Sequence, residues 1–322
     1  MKSIWKTIAV AGLLLSALGA AGAVQASPLQ DGGQMNLWPG KAPGSEHVAF
    51  HNTVTERSED PAHHDRIMTD IDVPTLIAHV PEHPNGTALI VGPGGGYARV
   101  VMDKESDEVA DWLNPKGVTV FILRYRLPGN AHNKNREDVS LEDGQRAVRI
   151  VRAHAKEWNI DPEKIGIMGF SAGGHMAASV STCYARKVYE PVDEQDKVSA
   201  RPDFTILGYP VISMLPEYAH EGTKKRLLGL SPGRKAMETY SAELHVTAET
   251  PPAFVFCAAD DNVVPPVNSV RYVSALRRYA IPAELHIYRT GGHGFGLGRS
   301  LQSSTRYWPS ACENWLRDLG LI

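Results

Sequence analysis

Residues 165–180 read IGIMGFSAGGHMAASV, and this stretch decides how the rest of the chain is read. Ile165-Gly166-Ile167-Met168 is a short apolar run of the kind that forms a buried strand. Gly169-Phe170-Ser171-Ala172-Gly173 then matches G-x-S-x-G, and Gly174-His175-Met176-Ala177-Ala178-Ser179-Val180 opens a helix. Strand, sharp turn and helix are the setting in which this motif exposes a nucleophilic serine. A turn that tight needs small neighbours, which Gly169 and Gly173 supply. The helix N-terminus adds N–H groups beside the hydroxyl, favouring negative charge as it develops. Ser171 is therefore the candidate nucleophile, with the amide of Ala172 one candidate donor to an oxyanion.

Upstream, the apolar run Ala88 to Val91 ends in Gly92-Pro93-Gly94-Gly95-Gly96-Tyr97. Three successive glycines let backbone amides approach a ligand, as an oxyanion hole requires. The loop follows an early strand, where an H-G-G-G-type motif supplies half of the hole, with Pro93 standing in place of histidine. The amides of Gly95 and Gly96 are assigned to this role, and Tyr97 to substrate binding. A phosphate loop is the competing reading, but no Gly-Lys-Ser/Thr follows and no acidic residue is placed as in a dinucleotide site. A purely structural glycine turn is the other alternative.

A serine nucleophile needs a base and an acid, expected in the chain order Ser, Asp or Glu, His. After the run Ala253 to Cys257 come Asp260 and Asp261, followed by Val263-Val264-Pro265. The D-x-x-V-P spacing selects Asp261; Asp260 is the runner-up, its alternative role being to bond loop amides. After Glu284 to Tyr288, the stretch Thr290-Gly291-Gly292-His293-Gly294-Phe295-Gly296 puts a histidine between glycines. His293 is the candidate base, and Asp261 would fix its tautomer. Other histidines fit less well. His175 is expected to pack beneath the elbow. His63-His64-Asp65 lacks a third ligand for a metal, since adjacent side chains in an extended segment point opposite ways. No metal or cofactor is expected.

Around these motifs, apolar runs alternate with helical patterns. Leu76–Val80, Ala88–Val91, Val118–Leu123, Ile165–Met168, Phe204–Leu207, Ala253–Cys257 and Glu284–Tyr288 are predicted strands. Glu105–Leu113, Glu142–Trp158, Val267–Tyr279 and Ser304–Leu319 are predicted helices. The alternation implies an α/β fold, a mostly parallel sheet with helices on both faces. Ligands then bind beyond the carboxyl ends of the strands. Residues 27 to about 60, rich in Pro, Gly and His, are expected to wrap the surface before the sheet begins.

Composition sets the outer bounds. The chain has 322 residues, 43% hydrophobic and 21% charged, which suits a globular protein, and residues 27–322 are expected to form one catalytic domain. A net charge of -3 with mixed signs argues against nucleic acid or an anionic membrane as partner. Lys2 and Lys6, the apolar run Ile8 to Leu18 and Val24-Gln25-Ala26 read as a secretory signal (residues 1–26) with cleavage before Ser27. A retained anchor is the alternative, although the run is short for a spanning helix. Three cysteines, Cys183, Cys257 and Cys312, cannot all pair within one chain, and Cys257 reads as a buried strand thiol.

The chain resembles secreted esterases of the α/β-hydrolase superfamily, in the acetyl xylan esterase-like and feruloyl esterase-like (BD-FAE-type) branch. The resemblance rests on Leu37-Trp38-Pro39-Gly40 with Ala42-Pro43-Gly44, on Pro93 to Tyr97, and on Arg124-Tyr125-Arg126-Leu127-Pro128. It rests also on Gly169 to Gly174 and on Asp260-Asp261 before Val263-Val264-Pro265. It implies hydrolysis of small acyl esters, acetyl above all, on carbohydrate; feruloyl or general short-chain esters are the alternative. Between Tyr209 and Pro251 lies the one cap-sized insertion, studded with charges that include His220, Glu221, Lys224, Lys225 and Arg226. A lipid-facing lid would present an apolar face, so a lipase is disfavoured. A prolyl-oligopeptidase-like peptidase shares the fold but usually carries a propeller, for which this chain has no room. A non-catalytic binding protein would be expected to lack a triad member.

Overall fold

The computed structural model describes residues 29–49, 52–129, 134–299 and 301–322. The expected signal segment lies outside them. Eleven strands are present among the described residues: β1 (Gln34–Asn36), β2 (Thr53–Glu56), β3 (Arg66–Thr69), β4 (Thr75–His79), β5 (Ala88–Gly92), β6 (Val100–Val101), β7 (Thr119–Arg124), β8 (Ile165–Phe170), β9 (Phe204–Gly208), β10 (Ala253–Ala258) and β11 (Ala283–Tyr288). Eight of them form one sheet in the order β1-β4-β7-β5-β8-β9-β10-β11. From β7 to β11 every neighbouring pair is parallel, while β1 and β4 add antiparallel pairs at one edge.

The helices are α1 (Glu108–Leu113), α2 (Val139–Ala153), α3 (Ser171–Cys183), α4 (Glu221–Leu228), α5 (Arg234–Thr239), α6 (Val267–Arg278) and α7 (Trp308–Asp318). Strand alternation assigns them to two faces. In β7, Phe121 and Leu123 join the cluster that contains residues of α2, α3 and α6. Val120 and Ile122 point the other way, into the cluster with Trp112, Trp308 and Trp315 from α1 and α7. Both faces are thus covered, and β5 and β8 are buried at every residue, as parallel strands in this setting are.

Two stretches depart from expectation. Residues 27 to about 60 do not simply precede the sheet: β1 pairs with β4, Met35 opposite Leu76, and β2 pairs with β3 in a separate three-stranded sheet. Strands of three and four residues are too short to carry a periodic signal, so only the pairing partner reveals them. The predicted 142–158 helix runs instead from Val139 to Ala153, because Val139 and Leu141 are buried at its start.

The N-terminal segment is held by a buried ionic cluster. Arg126, fully buried, donates to Asp143 and Glu142, and the indole N–H of Trp38 donates to Asp143 at 2.9 Å. Every guanidinium nitrogen of Arg126 has an oxygen partner, which is the condition under which a buried charge is tolerated. The cysteines are unpaired, with Cys257 and Cys312 buried. Among the described residues no helix is long and apolar enough to cross a membrane.

Candidate active site

The carboxyl ends of four strands converge. Gly92 of β5 and Gly169 of β8 are register partners, and so are Ala258 of β10 and Tyr288 of β11. The loops leaving these strands carry, respectively, the triple glycine, Ser171, the aspartate pair and His293.

At the elbow, β8 ends at Phe170 and α3 starts at Ser171, whose φ of 51° lies in the left-handed region. A non-glycine residue held there stores about 1–3 kcal/mol of backbone strain, which the packing around it must offset. That packing explains the glycines. A Cβ on Gly173 would collide with the carbonyls of Gly92 and Pro93, and one on Gly174 would sit 2.7 Å from Pro210. The elbow is pressed against the glycine loop, and only bare backbone fits between them.

Ser171 faces His293. The serine Oγ lies 2.9 Å from Nε2, and Nδ1 lies 2.7 Å from Oδ2 of Asp261. The other oxygen of Asp261, Oδ1, accepts the amides of Val263 and Val264 at 2.9 Å each. With Oδ1 fixed by two N–H donors, Oδ2 accepts the Nδ1 proton, leaving Nε2 unprotonated to accept from Ser171. Asp260 does something else: its Oδ1 accepts the amides of Gly291 and Gly292, at 2.9 and 2.8 Å. It holds the loop that carries His293. The two adjacent carboxylates thus divide orientation of the imidazole from anchoring of its loop.

The glycine loop has three consecutive positive φ values, 137° at Gly95, 64° at Gly96 and 61° at Tyr97. Only glycine fits position 95, where a Cβ would strike the carbonyl of Arg99. Gly95 and Gly96 line the same cleft of about 300 Å³ as Ser171 and His293. Their amides donate to no partner among the described residues, and Ala172 occupies the second position of α3, where an amide has no intrahelical acceptor. The loop is anchored from behind: Tyr125 donates to the Pro93 carbonyl at 2.6 Å, and the Gly94 amide donates to Glu105 at 2.8 Å.

Tyr97 does not contact the cleft. Its side chain is fully buried and its hydroxyl is 2.7 Å from Nδ1 of His175, so the expected substrate contact is corrected to a support beneath the loop. The left-handed backbone at Tyr97 turns the ring inward, a reversal that residue type does not disclose. His175 is buried under the elbow, its Nε2 donating to the Tyr240 carbonyl at 2.7 Å, and burial lowers its pKa to about 4. The neutral tautomer is therefore locked by both ring nitrogens. His63 and His64 turn to different carboxylates, Asp60 and Glu56.

Four participants were not anticipated. Glu105 is buried, and besides Gly94 it accepts the hydroxyl of Tyr209 at 2.7 Å; that hydroxyl in turn accepts the Gly296 amide at 3.0 Å. One phenol therefore joins the glycine loop, through Glu105, to the end of β9 and the His293 loop. From the insertion, α4 brings Arg226, and its preceding residue His220, to the cleft wall. The imidazole of His220 accepts the Thr223 amide at Nδ1, and burial lowers its pKa, so Nε2 carries the proton.

Residues 78–276 match the family model BD-FAE, more than half of the chain. The chain belongs to the BD-FAE family. The matched span of this BD-FAE member includes Gly95, Gly96, Ser171 and Asp261, and His293 lies just beyond it. Over 257 residues it is 36% identical to an acetylxylan esterase of Xylanibacter ruminicola, covering 79% of this chain and 48% of that protein. Endo-1,4-beta-xylanase B of Butyrivibrio fibrisolvens is 34% identical over 227 residues, covering 69% of this chain and 34% of that protein. The chain thus spans about half the length, or less, of these curated relatives. Among solved structures, the acetyl ester-xyloside bifunctional hydrolase from Caldicellulosiruptor lactoaceticus superposes with a TM-score of 0.74 at 36% identity, covering 91% of this chain and 98% of the other. The carboxylesterase Cest-2923 from Lactobacillus plantarum shares the α/β-hydrolase fold, with a TM-score of 0.64 at 23% identity.

Proposed function

We propose that this chain is a carboxylic-ester hydrolase that removes acetyl groups from xylan-type carbohydrate through an acyl-enzyme on Ser171. The observation that carries the reading is the unbroken chain of hydrogen bonds from Ser171 through His293 to Asp261, at 2.9 and 2.7 Å, beside two amides that have no other partner among the described residues. In the first half-reaction His293 takes the hydroxyl proton as Ser171 Oγ attacks the ester carbonyl. The oxyanion forms among the amides of Gly95, Gly96 and Ala172, which strengthen their bonds only as charge develops. Collapse breaks the C–O bond, and His293 returns its proton to the departing alcohol. Water, deprotonated by the same imidazole, then releases the acid and regenerates Ser171.

The acetyl and carbohydrate specificity is supported by the likeness to the acetylxylan esterase and to the acetyl ester-xyloside hydrolase. The polar insertion, with α4 on the cleft wall, suits a water-soluble alcohol rather than a lipid. On this reading residues 27–322 act as one catalytic unit, exported after removal of residues 1–26. The test is acetate and ferulate release from acetylated and feruloylated xylo-oligosaccharides by the native chain and by Ser171→Ala. Acetate release that disappears in the variant is the expected result. Unchanged release by Ser171→Ala would remove the mechanism, and ferulate release without acetate would remove the substrate assignment.

A further inference from the structure

The wall of the cleft is unequally charged. Four cationic residues, Arg57, Arg99, Lys104 and Arg226, line the cavity that holds Ser171 and His293. Glu105 is the one carboxylate lining it, and its oxygens are turned inward to the Gly94 amide and the Tyr209 hydroxyl. Arg57 is neutralised by Asp65 at 2.5 Å. The other three form no ion pair, and every Asp and Glu of the chain lies among the described residues. Arg226 is held by the carbonyls of Gly96 and Gly222, at 3.4 and 3.1 Å, which aim the guanidinium without cancelling its charge. The chain as a whole is slightly acidic, so this concentration of positive charge is local.

A cleft lined by one sign of charge concentrates ligands of the other sign and orients them as they enter. A solvated surface cation needs no such explanation, but three uncompensated ones around a single nucleophile do. Guanidinium and ammonium groups together match a carboxylate, and Arg226 reaches the carbonyl of Gly96, whose own amide is assigned to the oxyanion in the proposed mechanism. An acetyl group leaves no place for a second charge, so the anion must be carried on the alcohol portion.

We infer that Arg99, Lys104 and Arg226 form a subsite for a carboxylate on the alcohol portion of the ester, so that an acidic sugar bearing the ester is preferred to a neutral one. The inference rests on the esterase reading above and adds a substrate class to it. His220, whose Nδ1 accepts the Thr223 amide and whose Nε2 has no partner among the described residues, supplies a further donor on the same wall.

The test uses the full chain and a matched pair of acetyl esters, 3-acetoxybenzoate and 3-acetoxybenzamide, each rate divided by that for hydroxide hydrolysis. At about 0.02 M salt, kcat/KM for the anion should exceed that for the neutral ester by about tenfold, and the two should converge at about 0.5 M salt. The double variant Arg99→Gln/Lys104→Gln should bring the low-salt ratio down to about two- or threefold, and Arg226→Gln should lower it independently. Equal rates at low salt, or a preference that neither salt nor the substitutions change, would overturn the subsite and leave the esterase reading standing. Failure of the folded chain to hydrolyse either ester, or 4-nitrophenyl acetate, would remove both.

Discussion

Replacing Asp261 by Asn removes a charge while keeping the shape, and the structure dictates what the amide must then do. Its oxygen has two amides to satisfy, those of Val263 and Val264. If the oxygen stays there, the NH2 group points at Nδ1 of His293, which must become an acceptor. The ring proton then moves to Nε2, the nitrogen that on the proposed mechanism receives the proton of Ser171. If the amide flips instead, the NH2 group confronts two N–H donors, and losing both bonds in a buried turn costs about 2–6 kcal/mol. The first arrangement is therefore preferred, and it holds the base in the wrong tautomer. Loss of correct protonation and of imidazolium stabilisation should lower kcat by about 10³–10⁴, or about 4–5.5 kcal/mol, with KM little changed. Asp260→Asn is the control. Its oxygen can still accept from Gly291 and Gly292, so kcat should fall by no more than about threefold. The assay is initial-rate hydrolysis of 4-nitrophenyl acetate, with thermal unfolding to show that both variants fold. A reversed ranking, with Asp260→Asn the inactive one, would refute the assignment of the acid and the tautomer argument with it.

Glu105→Ala should leave the Gly94 amide and the Tyr209 hydroxyl without their acceptor, costing about 2–6 kcal/mol in stability and lowering kcat more than it changes KM; thermal unfolding and steady-state kinetics measure both. His175 is protonated more readily unfolded than folded, since its pKa falls from 6.5 to about 4 on burial. Its contribution to stability is full above about pH 6.5 and is lost as pH drops towards about 4, up to ~3 kcal/mol, which urea unfolding at several pH values should register and His175→Asn should lack. Gly173→Ala should abolish activity or folding, because its Cβ has nowhere to go between the elbow and the glycine loop; expression yield and labelling by a fluorophosphonate report which. With no disulfide present, a thiol reagent should titrate all three cysteines after denaturation, whereas Cys257 and Cys312 should stay silent in the native chain.

Local signals and their agreement explain what could be read from residues alone. At 165–180 the apolar run, the glycines and the helix start all favour one geometry, and that geometry is present in β8, Ser171 and α3. The approach of Ser171, Asp261 and His293 was legible because each follows a strand, and parallel strands deliver their carboxyl ends to one edge. Glu105, Arg226 and Tyr209 were not, because their partners lie 11, 130 and 104 positions away and no periodicity encodes such contacts. The expected substrate contact of Tyr97 fails for a different reason: its ring is buried against His175, at a backbone φ of 61° that residue type does not disclose. The strand Gln34–Asn36 escaped because three residues, two of them polar, acquire strand character only from β4 beside them.

The hydroxyl of Tyr209 has a consequence for anyone wishing to re-engineer this scaffold. It accepts from Gly296 and donates to Glu105, which in turn accepts from Gly94. Three loops that are far apart in the chain therefore behave as a single transplantable cassette rather than as interchangeable parts. Exchanging the glycine loop alone, or the histidine loop alone, for that of another hydrolase would leave an orphaned partner in the interior. Recombination that moves 93–105, Tyr209 and 290–296 together should retain activity where single-loop chimaeras lose it.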